Sequence, residues 1–271
     1  MDYRVFAERE KEGWANPEIT EAYVQGFGPV VDKAGQCQLS VIEPKSKVLD
    51  LCCGQGTLTS ALVDQGHNVT GLDFSSEMLD RAKSKVPGAI LVLGDAQDLP
   101  FEDDSFDAVI CNFGMMHIPD QPKALSEVAR VLKPGGIFSM ASWMGPEAGG
   151  VFQLVFGAAR ANMPEGITPP PQPDFFVYGR PDDSAELFRS NGLSIDDHQV
   201  LPLRWKLASP SELFEIFLNG TVGARVTLMA MGEEARGRVA ASIEESVASN
   251  YSDGVGYSVP VPVARIVAPP A

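Results

Sequence analysis

The sequence predicts an α/β protein built on a mostly parallel β-sheet with helices on both of its faces. Between residues 47 and 143, short apolar runs alternate with segments whose apolar side chains recur every three or four positions. The apolar runs are nearly continuous, which is typical of strands that helices cover on both sides. Since 44% of the 271 residues are apolar, the chain can bury a substantial core.

The predicted elements of this segment follow one another in a regular order. Strands are predicted at residues 47–52, 68–73, 89–94, 107–113 and 137–143, and helices at 57–65, 76–85 and 122–132. Ser75 is a suitable N-cap for the second helix, and Glu77 lies in its first turn, where an acid complements the helix dipole. Ligands of such sheets bind beyond the carboxyl ends of the strands, where the strand order reverses.

The regions on either side of this segment have a different character. Residues up to about 45 are predicted to be helical and to present Trp14, Tyr23 and Phe27 ahead of the first strand. Glycine and proline cluster between residues 145 and 181, so a boundary between a regular and an irregular part is expected near residue 145.

The C-terminal part mixes helices with two more strands. Helices are predicted at residues 151–162, 183–190, 210–219 and 232–249, and strands at 194–208 and 257–267. Ser209 or Ser211 is expected to cap the helix at 210–219. The last strand contains two prolines, which lack a backbone donor. It is therefore expected at the edge of the sheet, or with its prolines facing away from the ladder.

Charge and composition exclude several classes of partner. The chain carries 21 lysines and arginines against 36 acidic residues, a formal net charge of −15. This balance argues against nucleic-acid and anionic-membrane partners, which need surfaces rich in Lys and Arg. No apolar run reaches the roughly 18 residues of a membrane span, and the first residues lack the order of a signal peptide.

The four cysteines predict neither a metal site nor a disulfide framework. Cys37, Cys52, Cys53 and Cys111 form no matched CxxC pairs, and the adjacent Cys52 and Cys53 do not easily share a metal or an unstrained disulfide. We therefore expect free thiols, no bound metal and a cytoplasmic location.

The most informative segment is VLDLCCGQG at residues 48–56, where a strand ends in a Gly-x-Gly turn that opens a helix. Gly54 and Gly56 allow a ligand to approach the backbone closely. A dinucleotide fingerprint would need glycine in place of Thr59, and a pyrophosphate would avoid the carboxylate of Asp50. The turn therefore suits a ligand that lacks phosphates and carries a positive charge.

Polar side chains stand at the ends of the next three strands. Asp73 is placed to accept hydrogen bonds from both hydroxyls of a ribose, and Asp95 is placed to bind the edge of an adenine together with a backbone amide. Asn112 ends the fourth strand and is expected to face the same cleft. Each acid also has an alternative: Asp50 as a loop anchor, Asp73 as a helix cap, and Asp95 as a turn residue.

Four segments in order carry a resemblance to a known family: VLDLCCGQG, VTGLDFSSEML, GDAQDLPFEDDSFDAV and LSEVARVLKPGGIFSMASW. The chain resembles the class I S-adenosyl-L-methionine (SAM) dependent methyltransferases, in the small-molecule branch that includes the ubiquinone/menaquinone C-methyltransferase-like enzymes. The resemblance implies a Rossmann-like sheet of seven strands, the last antiparallel. It also implies a helical lid at 1–45, a SAM-binding core at 46–145, and an acceptor-binding insertion at about 209–250 within the remainder, 146–271.

The resemblance also implies a set of residues that bind SAM, and its product S-adenosyl-L-homocysteine (SAH). They are Tyr23, Asp50, Cys52, Gly54, Gln55, Gly56, Asp73, Phe74, Met78, Gly94, Asp95, Ala96, Gln97, Asn112, Phe113 and His117. Cys52 and Gln55 depart from the commoner family pattern, in which Gly or Ala and Thr stand at these places. Met78 is equally consistent with a place in the core.

The chain has three histidines, and one of them follows the fourth strand, where the acceptor is expected. His117 is the candidate catalytic residue, as a general base; packing against SAM is the alternative. His67 and His198 are interpreted as structural or exposed. Met115 and Met116 suit either an acceptor pocket or the core.

The resemblance implies methyl transfer from SAM to an O or C atom of an apolar or aromatic small molecule, such as a quinone precursor, phenol, lipid or secondary metabolite. Apolar residues of the insertion and of the proline-rich loop are expected to roof the acceptor: Phe175, Phe176, Tyr178, Phe214, Phe217, Leu218, Val222, Leu228 and Met229. A SAM-steered cyclisation or decarboxylation, and a non-catalytic binding module, remain as alternatives. The sequence leaves the oligomeric state open between monomer and homodimer.

Overall fold

The computed structural model describes residues 3–271, and across this range the strands form one seven-stranded sheet. The strands are β1 Lys47–Leu51, β2 Asn68–Asp73, β3 Ile90–Leu93, β4 Phe106–Asn112, β5 Leu132–Trp143, β6 Asp197–Leu207 and β7 Tyr257–Ala268. Their spatial order is β3-β2-β1-β4-β5-β7-β6, and the pairs from β3 to β5 are parallel. The predicted α/β class with a mostly parallel sheet is confirmed.

The last strand is antiparallel to both of its neighbours, β5 and β6, as expected. Of the two alternatives for this strand, a place at the edge is excluded, because β7 lies between those two strands. The pairing with β5 ends at Trp143 and Val263, so Pro260 and Pro262 lie where β6 is the remaining strand neighbour. The missing donors therefore fall outside the β5 ladder.

Helices precede, cover and interrupt the sheet. Three come before β1: α1 Arg4–Trp14, α2 Pro17–Gly26 and α3 Gly28–Leu39. The connections up to β6 contain α4 Thr57–Asp64, α5 Ser76–Lys85, α6 Gln121–Val131, α7 Val151–Ala161 and α8 Pro181–Arg189. Between β6 and β7 lie α9 Glu212–Gly220, α10 Gly223–Ala230 and α11 Gly232–Asn250.

Two details of the C-terminal part differ from the sequence prediction. The fifth strand begins at Leu132 rather than 137, because Leu132 already pairs with Phe106 of β4; the register then shifts before the pairing resumes at Ile137. Neither Ser209 nor Ser211 caps α9 through its side chain; instead the carboxylate of Glu212 accepts a hydrogen bond from the Ala208 amide, 2.6 Å away.

The sheet divides the core into two main layers because successive residues of a strand point to opposite faces. Phe138 and Met140 of β5 join the cluster beneath α6 and α8, whereas Ala141 and Trp143 join the cluster beneath α7, α9 and α11. The face of β5 that carries Trp143 therefore supports α7, α9 and α11, which come after β5 in the chain.

Among residues 3–271, no single helix is long and apolar enough to cross a membrane. The pair Glu212–Gly220 and Gly223–Ala230, bent by 106°, meets the length and composition criteria when the two helices are taken together. Leu213 and Phe217 of this pair are buried in the core.

Candidate functional site

The candidate site lies at the carboxyl ends of β1 to β4, beneath α1 and α2. The strand order reverses between β1 and β4, since β1 leads outward to β2 and β3 while β4 leads to β5. Loops that leave the strands at such a switch point diverge to opposite faces and leave a crevice between them. Apart from Tyr23, which lies on α2, the predicted site residues lie at or after the ends of these strands, and all but Gly56 line this crevice.

The turn after β1 is held in an unusual backbone conformation. Cys52 has a φ of 58°, and Gly56 has a φ of 80° at the start of α4. A Cβ on Gly56 would lie 3.0 Å from the Cβ of Ala82, so glycine is needed for close packing against α5. Gly54 by contrast has open space where a side chain would be and lines the crevice.

Asp73 ties the first two loops of the site together. One carboxylate oxygen accepts from the Gly54 amide and the other from the Ser75 amide, both at 2.8 Å. Burial raises the pKa of Asp73, and these two amide hydrogen bonds oppose the rise. Asp73 is therefore an anchor of the crevice as well as part of its wall.

Asp50 lies one layer deeper, with 1% of its surface exposed. The Thr59 hydroxyl donates to its carboxylate at 2.5 Å, so Thr59 has a polar task at the place where a dinucleotide fingerprint has glycine. Burial raises the pKa of Asp50 to about 7, against the lowering effect of that hydrogen bond. The carboxylate faces a compartment that Asp32, Gln36 and the glycine turn also line.

The opposite end of the crevice is formed by the loop after β3. Gly94, Asp95, Ala96 and Gln97 line it, as predicted for an adenine subsite. The Gln97 side-chain amide donates to Asp95 at 2.9 Å, and its oxygen accepts from the Asp120 amide at 3.0 Å. Phe74 and Met78 complete the wall from the side of α5.

The end of β4 forms the floor. Both ends of the Asn112 side-chain amide are engaged by α3: it donates to the Val31 carbonyl at 3.0 Å and accepts from Gln38 at 2.8 Å. Phe113 has a φ of 59° and stacks on Trp143 with ring centroids 3.9 Å apart. Strained residues of this kind persist where surrounding contacts hold them, which is common at functional sites.

The crevice has two connected compartments that bring the predicted residues together. Tyr23, Cys52, Gly54, Met78 and Asn112 line both of them. Gln55 lines the compartment near Asp50, where it accepts a hydrogen bond from Lys85. Gly56 is the exception among the predicted residues, because it packs against α5 and does not line the crevice.

A third cavity, of about 420 Å³, adjoins the crevice and has mainly aromatic and aliphatic walls. Its aromatic walls are Phe6, Trp14, Tyr23, Phe27, Trp143, Phe152, Phe156, Phe175, Phe176 and Phe217. It shares Glu10, Trp14, Tyr23 and His117 with the crevice. Its size falls within the range that is typical of small-molecule sites.

The predicted roof of this cavity is found only in part. Phe175, Phe176, Phe217 and Val222 line it, but Tyr178 belongs to the core beneath α6 and α8. The remaining predicted roof residues, Phe214, Leu218, Leu228 and Met229, are not among its walls. α7 contributes Phe152 and Phe156 instead; the sequence predicted a helix at 151–162 but did not indicate what it covers.

The sequence interpretation missed Glu10, a buried acid on α1. Its carboxylate accepts from the Trp14 indole at 3.0 Å and contacts His117 Nδ1 at 2.8 Å. Phe6, Glu10 and Trp14 recur at intervals of four, so they share one helix face. An acid in the middle of an apolar helix face was the signal that could have revealed it.

The donor set of the crevice fits SAM. Carboxylates at the ends of β1 and β2 match a cationic amine and ribose hydroxyls. The residues that line the crevice include no set of basic side chains that would bind a phosphate. Apolar walls at Phe74 and Met78 match a purine and its sugar. Residues 3–271 contain no cluster of His, Cys, Asp or Glu that could hold a metal ion.

Comparison with known proteins finds similarity to methyltransferases. Residues 49–140 match the family described as methyltransferase domain. Ninety-eight residues are 50% identical to the demethylmenaquinone methyltransferase of Staphylococcus aureus, a match that covers 34% of this chain and 41% of that protein. The chain therefore aligns with less than half the length of this relative.

Solved structures of other proteins are similar in fold over nearly the whole chain. A TehB-like SAM-dependent methyltransferase from Corynebacterium glutamicum has a TM-score of 0.53 at 17% identity, covering 94% of this chain and 100% of that one. The [4+2]-cyclase SpnF has a TM-score of 0.53 at 19% identity, covering 91% of this chain and 83% of that one. The methyltransferase-domain match is thus confined to residues 49–140, and the fold of the whole chain is similar to that of these solved structures.

Proposed function

We propose that the chain transfers a methyl group from SAM to an O or C atom of an apolar or aromatic small molecule. The observation that carries this proposal is the shared wall between the polar crevice and the aromatic cavity. Tyr23 lines the aromatic cavity and both compartments of the crevice, so the three spaces meet at its side chain. A donor in one space and an acceptor in the other would face each other at this junction.

The residues of the crevice have distinct tasks in holding SAM. The Asp73 carboxylate would bind the ribose hydroxyls, Asp95 and the Ala96 amide the adenine, and Asp50 the amino group. Gly54 leaves room for the amino-acid part beside Asp50. When bound, SAM supplies a methyl group that its sulfonium has already activated.

The protein's own contribution is positioning and the exclusion of water. Alignment of two reactants in a near-attack geometry supplies up to roughly 7–11 kcal/mol of a barrier. Burial raises the pKa of Tyr23 well above its usual value, so this hydroxyl remains neutral beside the junction. His117 is the proposed general base for acceptors that must lose a proton.

The proposed location is the cytoplasm, where the four cysteines, all free in the structure, would stay reduced.

Titration of SAH by calorimetry into the wild type and Asp73→Ala tests the cofactor assignment. We expect the wild type to bind and Asp73→Ala to lose at least about tenfold in affinity, because the ribose anchor is removed. Asp80→Ala is the matched control, since Asp80 lies on α5 with its side chain 65% exposed and pairs with Lys83. Asp73→Asn, which keeps one acceptor oxygen, guards against loss of folding. Unchanged binding by both Asp73 variants would contradict the assignment.

A transfer assay separates methylation from the other reactions that this fold supports. The protein is incubated with SAM labelled in its methyl group and with a library of phenols and hydroquinones. We expect label in an acceptor and SAH as the second product. If SAM binds but label never leaves it, a SAM-steered reaction other than methylation is favoured.

A further inference from the structure

We propose that Glu10 is a positioning residue that turns His117 toward the acceptor as a base, and that the acceptors are molecules with an ionisable hydroxyl: phenols, enols or hydroquinones. This inference rests on the proposed function and adds a residue and a substrate class to it. Three features carry the inference: the burial of Glu10, the orientation of the His117 ring, and the composition of the aromatic cavity.

Glu10 is an acid where the fold otherwise provides apolar side chains. It is 3% exposed, and it lies on the face of α1 that also buries Phe6 and Trp14. Removing a carboxylate from water is costly unless hydrogen bonds compensate. One oxygen of Glu10 makes both contacts, to Trp14 Nε1 at 3.0 Å and to His117 Nδ1 at 2.8 Å. The acid is thus held by an indole and faces an imidazole.

The partner of Glu10 is fixed at the junction of the two cavities. The His117 ring stands edge-on between Trp14, 5.3 Å away at 85°, and Phe175, 5.5 Å away at 84°. Within residues 3–271, its Nε2 makes no hydrogen bond. Since His117 lines both the crevice and the aromatic cavity, this free nitrogen is available to an acceptor.

The contact between Glu10 and His117 determines which ring nitrogen carries the proton. An ionised carboxylate can only accept, so Nδ1–H donates to Glu10 and Nε2 keeps its lone pair. In the proposed step the O–H bond of the acceptor breaks, an Nε2–H bond forms, and the electron pair stays on the acceptor oxygen. The imidazolium that results is paired with the Glu10 carboxylate.

This arrangement limits the acceptor class. A neutral amine or thioether is already nucleophilic and has no need of a base, whereas an alkyl alcohol is a far weaker acid than a phenol and gives up its proton to an imidazole less readily. Phenols, enols and hydroquinones lie between these limits. Their planar apolar bodies also match a cavity walled by ten aromatic side chains.

The first test needs no turnover. ¹⁵N-edited NMR of the imidazole rings reports which nitrogen is protonated, and with three histidines in the chain, His117→Gln assigns the signal of interest. We expect the Nδ1–H form in the wild type and a shift toward the Nε2–H form in Glu10→Leu, which has no acceptor. Glu12→Gln, on the exposed side of α1, is the matched control and should leave the signal unchanged. An Nε2–H form in the wild type, or an unaltered signal in Glu10→Leu, would overturn the inference.

The second test compares phenols of different acidity. Glu10→Gln keeps an acceptor oxygen but removes the charge. We expect kcat to fall at least about tenfold with weakly acidic phenols, and much less with 4-nitrophenol, which is already largely ionised. The KM for SAM should be unchanged. An equal loss with every phenol, or a loss confined to SAM affinity, would show that Glu10 is merely structural.

Failure of this inference is distinguishable from failure of the proposed function. If the wild type binds no SAH and transfers no label, the function itself is wrong. If it transfers label and Glu10→Gln does so equally well with all phenols, methyl transfer stands and the role of Glu10 is rejected.

Discussion

Asp50 shows how the surroundings of one residue set its chemistry. Its neutral form is favoured by burial until the pH reaches about 7, so the carboxylate is only partly charged near neutrality. The amino group of SAH is cationic and favours the charged form of a neighbouring acid. In the proposed binding mode, the cationic amino group would therefore draw Asp50 into its charged form.

We expect SAH affinity to rise with pH across the pKa of Asp50. If the ionised form is the one that binds, about a tenth of the protein is competent at pH 6, and affinity there is about tenfold weaker than at pH 8. Calorimetry at several pH values in buffers of different ionisation enthalpy measures both the affinity and the proton released. Asp50→Asn serves as the control and should show a much flatter profile. The same profile in both proteins would assign the titration to another group.

The same residue should affect the stability of the ligand-free protein. A carboxyl group whose pKa is raised from 3.8 to about 7 costs nothing below pH 3.8; its cost grows as the pH rises from 3.8 to about 7 and is constant above that. At about 1.4 kcal/mol per pKa unit, the cost reaches roughly 4 kcal/mol. Asp50→Asn should therefore be more stable than the wild type in urea at pH 8 but not at pH 4. A stability difference that is independent of pH would contradict this.

Elements with strong local signals were predictable from the sequence. The structure has β2 at Asn68–Asp73 and α5 at Ser76–Lys85, with the Ser75 hydroxyl accepting from the Met78 amide, as the sequence predicted. Capping residues and apolar runs act over a few positions, so they are visible without the fold. The positions of Asp73 and Asp95 at the site follow from these strand ends.

Elements defined by distant contacts were not predictable in the same way. The place of β7 inside the sheet depends on β6, about 50 residues away in the chain. The short helix α10 is absent from the prediction, and so is the pairing of Glu10 with His117 across 107 positions. Local patterns cannot show such contacts, because only tertiary packing brings the partners together.

The start of α7 contains a backbone position that only glycine fits. Gly150 has a φ of 72°, and a Cβ there would lie 2.0 Å from the Pro260 carbonyl oxygen on β7. Gly150→Ala should therefore destabilise the protein by at least about 2 kcal/mol, through strain and a backbone clash. Gly157→Ala is the matched control, because Gly157 lies inside the same helix and an alanine Cβ at this position would have nothing within 4 Å. It should stabilise the protein by about 0.5–1 kcal/mol, as expected for an exposed helix position. Urea unfolding of both variants measures the change in the free energy of unfolding. A Gly150→Ala protein that is as stable as the wild type would refute the predicted clash.

At the scale of the molecule, the N-terminal helices connect the two ligand spaces. α1 and α2 pack on the insertion helices through glycines: a Cβ on Gly13 would meet Val222 at 2.4 Å, and one on Gly220 would meet the Tyr23 amide at 3.0 Å. On the other side, the Ser75 hydroxyl, in the loop after β2, donates to the Trp14 carbonyl at 2.7 Å. Helices that touch both the loops proposed to bind SAM and the aromatic cavity can respond to a ligand in either space.

This connection predicts that the two ligands bind cooperatively. SAH bound in the crevice orders the side chains of Trp14 and Tyr23, which also wall the aromatic cavity, so the entropic cost of ordering them falls for an apolar probe that binds second. We expect SAH to tighten the binding of 1-naphthol by at least about fivefold, and thermodynamic linkage requires 1-naphthol to tighten SAH by the same factor. Calorimetric titrations in both orders measure the two factors and check that they agree.

Two variants distinguish coupling through the shared wall from a general effect on the cavity. Tyr23→Leu alters the side chain that lines all three spaces, so it should reduce the coupling factor toward one. Phe175→Leu alters a wall of the aromatic cavity alone, so it should weaken 1-naphthol with and without SAH by a similar factor. Coupling that survives Tyr23→Leu intact would mean that it travels through the sheet or the loops beneath it. Independent binding of the two ligands to the wild type would mean that the N-terminal helices are already ordered before either ligand arrives.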